Sequence, residues 1–562
     1  MIAVVSIVVG GAGASRGDDQ LQRINHVVVI YEENHSFDNL YGGWEGVNGL
    51  ANADAAHTTQ VDQHGTAYGC LRVDDANLAL VSVGSCTAPS GFPNTWFTID
   101  NFIHPTDTTC PAPLNAFASQ TGFLNGTGLE GGCTRDLVHR FYEEQYQLNG
   151  GMQNRYATGS DAEGLTMGVY DTKALPIYSY LHSDAHPHYA ILDNFFQAAF
   201  GGSFLNHQWL IAARTPDYPN MPASQRSVLD TNGMTVTANH QERWLLYASP
   251  NPGTIVDGAG TIACAAGVTV ACGDYAVNTT EPQWEPTNAF SPTLPVQTNP
   301  TIGDRLDAAN VDWAWYAGGW SNANGNINGP GWTNGTGTPC TDPAHASFSH
   351  NGFCPDNVFQ QHHQPFNYFQ AFNPSTATGL ANRTAHLKDE VSFFDALSQS
   401  GDQCSLKPVS FVKPLGEENE HPGYASEPGG SRHLLKLLKA IQGSACAKDT
   451  MVIVTYDEFG GQWDHVSPPG QGQAPCQYRP WVEGGVPGCT HDVWGPGTRI
   501  PALVISPFIR GNFVVDHTQY DTTSILATIE RRWGLDPLSS RDEAVNDLSN
   551  VFTAKQVGAA TP

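Results

Sequence analysis

Six short runs of apolar residues, at 26–31, 189–192, 311–316, 409–412, 451–456 and 502–505, constrain this chain more than any other feature. None is long enough for a helix. Runs of that length with little alternation read as strands covered on both faces, the pattern of a parallel sheet. Between them lie stretches with apolar residues at helical spacing. Leu137, Phe141 and Leu148 mark one, with Thr134 placed to cap it, and others run over 175–182, 387–397, 434–441 and 524–533. Strands alternating with helices predict an α/β fold, a three-layer α/β/α sandwich around a mostly parallel central sheet.

Long Gly-, Asn-, Thr- and Pro-rich stretches interrupt that pattern near 45–130, 216–300, 317–357 and 466–498. They show no fixed-period repeat and no linker that separates domains. Residues 19–562 therefore read as a single catalytic domain with insertions, long enough to bury a sizeable core. The twelve cysteines fall into consecutive close pairs: Cys70/Cys86, Cys110/Cys133, Cys264/Cys272, Cys340/Cys354, Cys404/Cys446 and Cys476/Cys489. Their spacing lacks the CxxC pattern of structural zinc, so disulfides that staple the insertions are expected, with neighbour pairing as the simplest connectivity.

Disulfides imply an oxidising compartment. Residues 2–15, apolar and small and ending Gly-Ala-Gly-Ala-Ser, resemble the end of a signal peptide, so residues 1–18 are expected to be a signal-like or disordered start and the protein secreted or periplasmic. No later run reaches the ~18 apolar residues of a membrane span, so no stable membrane anchor is expected. The net charge of −28 repels a polyphosphate backbone and excludes non-specific nucleic-acid binding. An anionic substrate must be held locally, against that field.

Open α/β sheets carry their chemistry at the carboxyl ends of their strands. The first run leads straight into Glu32, Glu33, Asn34, His35 and Ser36, and the fifth into Asp457, Glu458, Phe459, Gly460 and Gly461. Two such ends in one sheet converge on a hard cation, because carboxylate and amide oxygens suit it. Either cluster alone would be an ordinary polar strand end. After the second run comes Phe200-Gly-Gly-Ser-Phe-Leu-Asn-His-Gln-Trp, in which Ser203 opens an apolar helix. A serine there is most often a helix cap, although a helix start also supplies donors for phosphate. His139, His362-His363 and Asn419-Glu420-His421 add polar clusters, each ordinary when taken alone. Gln462-Trp-Asp464-His465 reads equally as metal ligands or as loop packing.

Taken together, the segments 25–42, 136–149, 195–213, 362–369, 420–424, 455–466 and about 499–535 resemble the bacterial phosphoesterase family that contains acid phosphatase A and phosphatidylcholine-type phospholipases C. That resemblance implies an alkaline phosphatase-like fold and one divalent metal ion held by Glu33, Asn34, Asp457 and Glu458. It implies Ser203 as nucleophile and, as alkoxide, a metal contact. It places His139, His362, His363 and His421 around the phosphate of a small phosphorylated substrate, which Asn206 also contacts. One of the adjacent pair His362 and His363 is expected to protonate the leaving group, with charged histidines favouring acidic pH. Asn206 followed by His207 looks like the phosphatase branch, whose reaction is monoester hydrolysis through a phosphoserine. Phospholipase C-type diester cleavage is the alternative, and a non-catalytic carbohydrate-binding protein is a more distant one.

Overall fold

The computed structural model describes residues 16–62, 64–72, 91–101, 136–160, 163–221, 259–262, 273–287, 293–324, 326, 329, 359–416, 418–423, 427–476, 479, 481 and 488–554. Residues 1–15 of the signal-like start, Thr134, Cys86 and the Cys110/Cys133, Cys264/Cys272 and Cys340/Cys354 pairs lie outside the described residues, while residues 16–18 of that start open a short helix, Arg16–Leu21.

Eight strands form the central sheet: β1 His26–Glu32, β2 Tyr189–Leu192, β3 Trp313–Ala317, β4 Leu387–Asp389, β5 Val409–Lys413, β6 Thr450–Tyr456, β7 Ala502–Ile505 and β8 Phe513–Asp516. Their spatial order is β4-β3-β5-β1-β6-β7-β2-β8. Every pairing is parallel except those of β7, which runs against both β6 and β2. The central strands are fully buried, as their uninterrupted apolar runs demand: Val27 to Tyr31 and Ile453 have no exposed surface.

Helices cover both faces. On one, α2 Pro176–Leu181 and α6 Glu390–Ser398 pack on α7 Glu427–Gln442. A second group has α3 Ser203–Ala212 in contact with α4 Ile302–Ala308 and α8 Thr523–Trp533, and α5 Ala377–His386 packs on β3 and β4. Helix α7 buries Leu434, Leu437, Leu438 and Ile441, the i, i+3, i+4, i+7 stripe of an amphipathic helix. The layers are those expected of a three-layer α/β/α sandwich with a mostly parallel sheet.

Two local readings are corrected. The expected helix over 387–397 begins as the edge strand β4, paired to β3, and turns helical only after Asp389, whose side chain accepts from Val391 N and so starts α6. The helix expected to carry His139 is α1 Phe141–Leu148. His139 lies in the extended segment before it, which frees its ring from helical geometry.

Two disulfides are described, Cys404–Cys446 and Cys476–Cys489, both between sequence neighbours as expected. Cys70 is also disulfide-bonded. Cys404–Cys446 closes a loop of 42 residues between the segment before β5 and the turn after α7. Loop-closure entropy of that length corresponds to about 4 kcal/mol. Replacing both cysteines by alanine should therefore lower the unfolding free energy by about 2–4 kcal/mol, read as a shift of the urea midpoint at unchanged m-value.

Candidate active site

Strands β5, β1 and β6 lie side by side at the centre of the sheet and point the same way, so their carboxyl ends meet. Pairing of Glu32 with Tyr456 sets Glu33 and Asn34 beside Asp457 and Glu458, and pairing of Ile30 with Val412 brings Lys413 to the same edge. The turn after β1 is tight. Asn34 sits at φ 63°, its N–H donates to Asp457 Oδ1 at 3.2 Å, and a side chain at Gly460 would strike Asn34 O at 2.1 Å. Glycine is thus required at 460, where φ is also positive.

Ser203 enters from α3. It does not cap the helix. The cap residue is Gly202, with no side-chain cap bond, and Ser203 occupies the first helical position. Its hydroxyl lies 3.0 Å from Glu33 Oε2, 3.3 Å from Asn34 Oδ1 and 3.4 Å from Glu458 Oε1, all buried. One hydroxyl hydrogen cannot satisfy three acceptor oxygens. Asp457 Oδ2 is buried beside them with no hydrogen-bond partner. An oxygen-rich pocket short of hydrogens is the donor set of a hard cation.

The charges agree. Burial first, then the Asp457 carboxylate, push Glu33 up to about 8 against the opposing Lys413 ammonium. Burial, then Asp457, also raises Glu458, and burial raises Asp457 itself. Lys413 is the one lysine or arginine in contact with the cluster among the described residues: Nζ pairs with Glu33 Oε1 and donates to Tyr31 O at 2.9 Å. It faces the Glu33 oxygen turned away from Ser203.

Four histidines close the pocket, and a fifth joins them. His421 donates from Nδ1 to Pro422 O at 2.8 Å, which leaves Nε2 to accept from Asn34 Nδ2 at 2.8 Å. The loop that carries it is tied to β1 by Glu33 N donating to Asn419 O at 2.9 Å. His363 Nε2 lies 3.2 Å from Glu33 Oε1, and Trp315 Nε1 on β3 holds the His363 carbonyl at 3.0 Å. His362 packs edge-on to His363, and its Nδ1 has no hydrogen-bond partner. His139 reaches Glu458 Oε1 at 3.4 Å, with Asp136 3.5 Å behind it. The fifth, His207, was not foreseen. One turn after Ser203, it donates from Nδ1 to Ser203 O at 2.7 Å and stacks on His363 with centroids 4.9 Å apart. Ligand atoms of Glu33, His207 and His363 all lie within 4.8 Å of one another, close enough to share an ion.

Burial holds His207, His363 and His421 well below the ordinary imidazole range and His362 at about 3, with Lys413 adding to the effect on His362 and His363. Burial thus disfavours the charged form of the adjacent pair, which works against the expectation of charged histidines there. Asn206 is also corrected. Its Oδ1 accepts from Ala199 N at 3.0 Å and its Nδ2 donates to Ala199 O and Gly201 O at 3.1 Å. That side chain is spent on the turn before α3 and does not face the pocket.

Two other acidic clusters with histidine have cationic partners of their own. Asp464 and Asp38 bind the Arg499 guanidinium and His465 binds Asp38, so the 462–465 segment packs a loop. His433 bridges Glu390 and Glu418, and both carboxylates raise its pKa against the effect of burial.

A model of the Phosphoesterase family matches residues 24–536. The chain is 24% identical over 558 residues to phospholipase C A of Mycobacterium tuberculosis, covering 96% of this chain and 79% of that protein. It is 29% identical over 174 residues to the non-hemolytic phospholipase C of Pseudomonas aeruginosa, 28% of this chain and 25% of that one. A solved protein in the alkaline phosphatase superfamily from Vibrio parahaemolyticus aligns at a TM-score of 0.22 and 13% identity over 46% of this chain and 51% of that one.

Proposed function

The chain belongs to the Phosphoesterase family, and on that premise we propose that it hydrolyses phosphate monoesters through a phosphoserine formed on Ser203. The observation that carries the reading is the convergence of Glu33, Asn34 and Glu458 oxygens on the Ser203 hydroxyl, beside the partnerless Asp457 Oδ2.

The residues fit one divalent cation, held by Glu33, Asn34, Asp457, Glu458 and Ser203. When bound, such an ion lowers the pKa of the hydroxyl and neutralises negative charge as phosphate approaches. Ser203 Oγ attacks phosphorus, and its proton passes to a carboxylate oxygen already in reach, Glu33 Oε2 at 3.0 Å. The first backbone amides of α3 face the phosphoryl oxygens with the positive end of the helix dipole. Neutral His363 and His421 line the pocket without adding charge, and His421 holds the Asn34 side chain in place. His139 is the partly exposed member, with its side chain 18% accessible and Asp136 beside it. Those features suit it, rather than the buried pair, to deliver a proton to the leaving alcohol. Water then cleaves the phosphoseryl group, with the same residues acting in reverse.

Phospholipase C-type diester cleavage is the second reading, favoured by the names of the relatives at 24% and 29% identity. Turnover of an aryl phosphate and of phosphatidylcholine by the same preparation separates them. A kcat/KM at least ten times higher on the monoester is expected, and the reverse order would overturn the assignment.

A further inference from the structure

Two buried polar side chains sit behind the Ser203 turn and touch neither the pocket nor its ligands. Glu144, on α1, has no exposed surface. Its Oε2 accepts from Gly201 N at 2.5 Å and from Gln197 Nε2 at 2.9 Å, and its Oε1 accepts from Thr498 N at 2.6 Å and Thr498 Oγ1 at 2.8 Å. Gln197 is equally buried and fully used. Nε2 also donates to Ala199 O at 2.8 Å and Gly201 O at 3.1 Å, and Oε1 accepts from Phe459 N at 3.0 Å.

These bonds join the two halves of the site. Phe459 follows Glu458 at the end of β6, and Gly201 lies two residues before the nucleophile. Gln197 therefore bridges the carboxylate-bearing strand end to the serine turn, and Glu144 ties the Gly201 amide of that turn to Thr498 in the segment before β7. Asn206 completes the clasp from inside α3. Gly201 itself stands at φ 87°, and a side chain there would meet Phe141 N at 2.6 Å, so α1 presses directly on the turn. Burying a carboxylate without a cation is unfavourable unless several donors hold it. Even with four donors, burial raises Glu144 to about 7. A packing role needs no carboxylate in this place. Setting the angle at which Ser203 Oγ meets phosphorus does, because a displacement of about 1 Å is worth roughly a hundredfold in rate.

We propose that Glu144 and Gln197 are positioning residues that lock the Ser203 turn to the Asp457–Glu458 strand end and so set the attack geometry. The inference rests on Ser203 being the nucleophile. Two isosteric variants test it. Glu144→Gln places an amide group against donors on one side, and Gln197→Glu keeps the acceptor for Phe459 N while losing the donors to Ala199 O and Gly201 O. The probes are an aryl phosphate, inorganic phosphate and vanadate, which mimics the trigonal transition state.

For each variant, kcat per folded molecule should fall about 10–100-fold with KM and the inhibition constant of inorganic phosphate within threefold of wild type. The vanadate inhibition constant should rise by the same factor as kcat falls, since a positioning defect weakens transition-state binding selectively. A kcat within threefold of wild type in both variants overturns the proposal. So does a fall in kcat with vanadate affinity unchanged, which marks a smaller active fraction and a merely structural role. If one variant fails to fold, the other decides. Ser203→Ala run in parallel keeps the two readings apart: if it is inactive while both variants behave as wild type, only the positioning role fails.

Discussion

Purified Ser203→Ala should turn over an aryl phosphate at least a thousandfold more slowly than wild type, a loss of about 4 kcal/mol of transition-state stabilisation. The fold should survive. Ser203 is not the cap of α3, so the helix start loses nothing when the hydroxyl goes. The deleted hydrogen bond is one of three alternatives in a pocket already short of hydrogens, and its removal should change unfolding free energy by no more than about 1 kcal/mol. Phosphate should still bind, because the backbone amides at the start of α3 remain. Ser203→Gly should be equally inactive, a result that a capping serine would not give, since glycine replaces a cap at a cost of a few tenths of a kcal/mol. Activity of Ser203→Ala within tenfold of wild type would remove the phosphoserine route altogether.

The parts of this site that were legible in the sequence are those carried by period and position. β1 and β6 read as apolar runs, and the residues that follow such runs in a parallel sheet must gather at one edge. That logic reaches Glu33, Asn34, Asp457 and Glu458 before any coordinates. It also reaches Lys413 in principle, since Lys413 ends the β5 run, but a terminal lysine reads as a solvated strand end. Only the register beside β1 reveals that it is buried against Glu33. His207 was hidden for a similar reason. On a helix as apolar as α3 it looks like a core residue, although its i, i+4 spacing from Ser203 was the available signal. Glu144, Gln197 and Asn206 were out of reach or misread, because most of their partners are backbone groups, which no side-chain pattern announces. The edge strands β4, Leu-Lys-Asp, and β8, Phe-Val-Val-Asp, were missed because neither holds the four consecutive apolar residues that marked β2 and β7. Neutral rather than charged histidines follow from burial, which no single motif discloses.

Asp457→Asn should strip the site of its cation and leave the protein more stable than the wild-type protein prepared without metal. The two oxygens of Asp457 have different surroundings. Oδ1 accepts from Asn34 N at 3.2 Å and Glu458 N at 2.9 Å, while Oδ2 is buried with no partner. Asparagine can keep the first oxygen and its two bonds, so the strand end should hold its shape. At the second position it presents an NH₂ group, a donor that cannot ligate a cation. Metal content, measured by elemental analysis after equilibration at one fixed free-metal concentration, should drop at least tenfold, and turnover should fall about a thousandfold with it. Asp457 is also the largest charge that raises Glu33 and Glu458 apart from burial itself. Removing it relieves that repulsion, so the metal-free variant should melt above metal-free wild type. Added metal should raise the melting temperature of wild type and leave that of the variant almost unmoved, because stabilisation by a ligand scales with its binding to the folded state. Wild-type metal content and activity in Asp457→Asn would place the cation elsewhere. A melting temperature of the metal-free variant below that of metal-free wild type would show that the cluster is held by protein contacts and not by an ion.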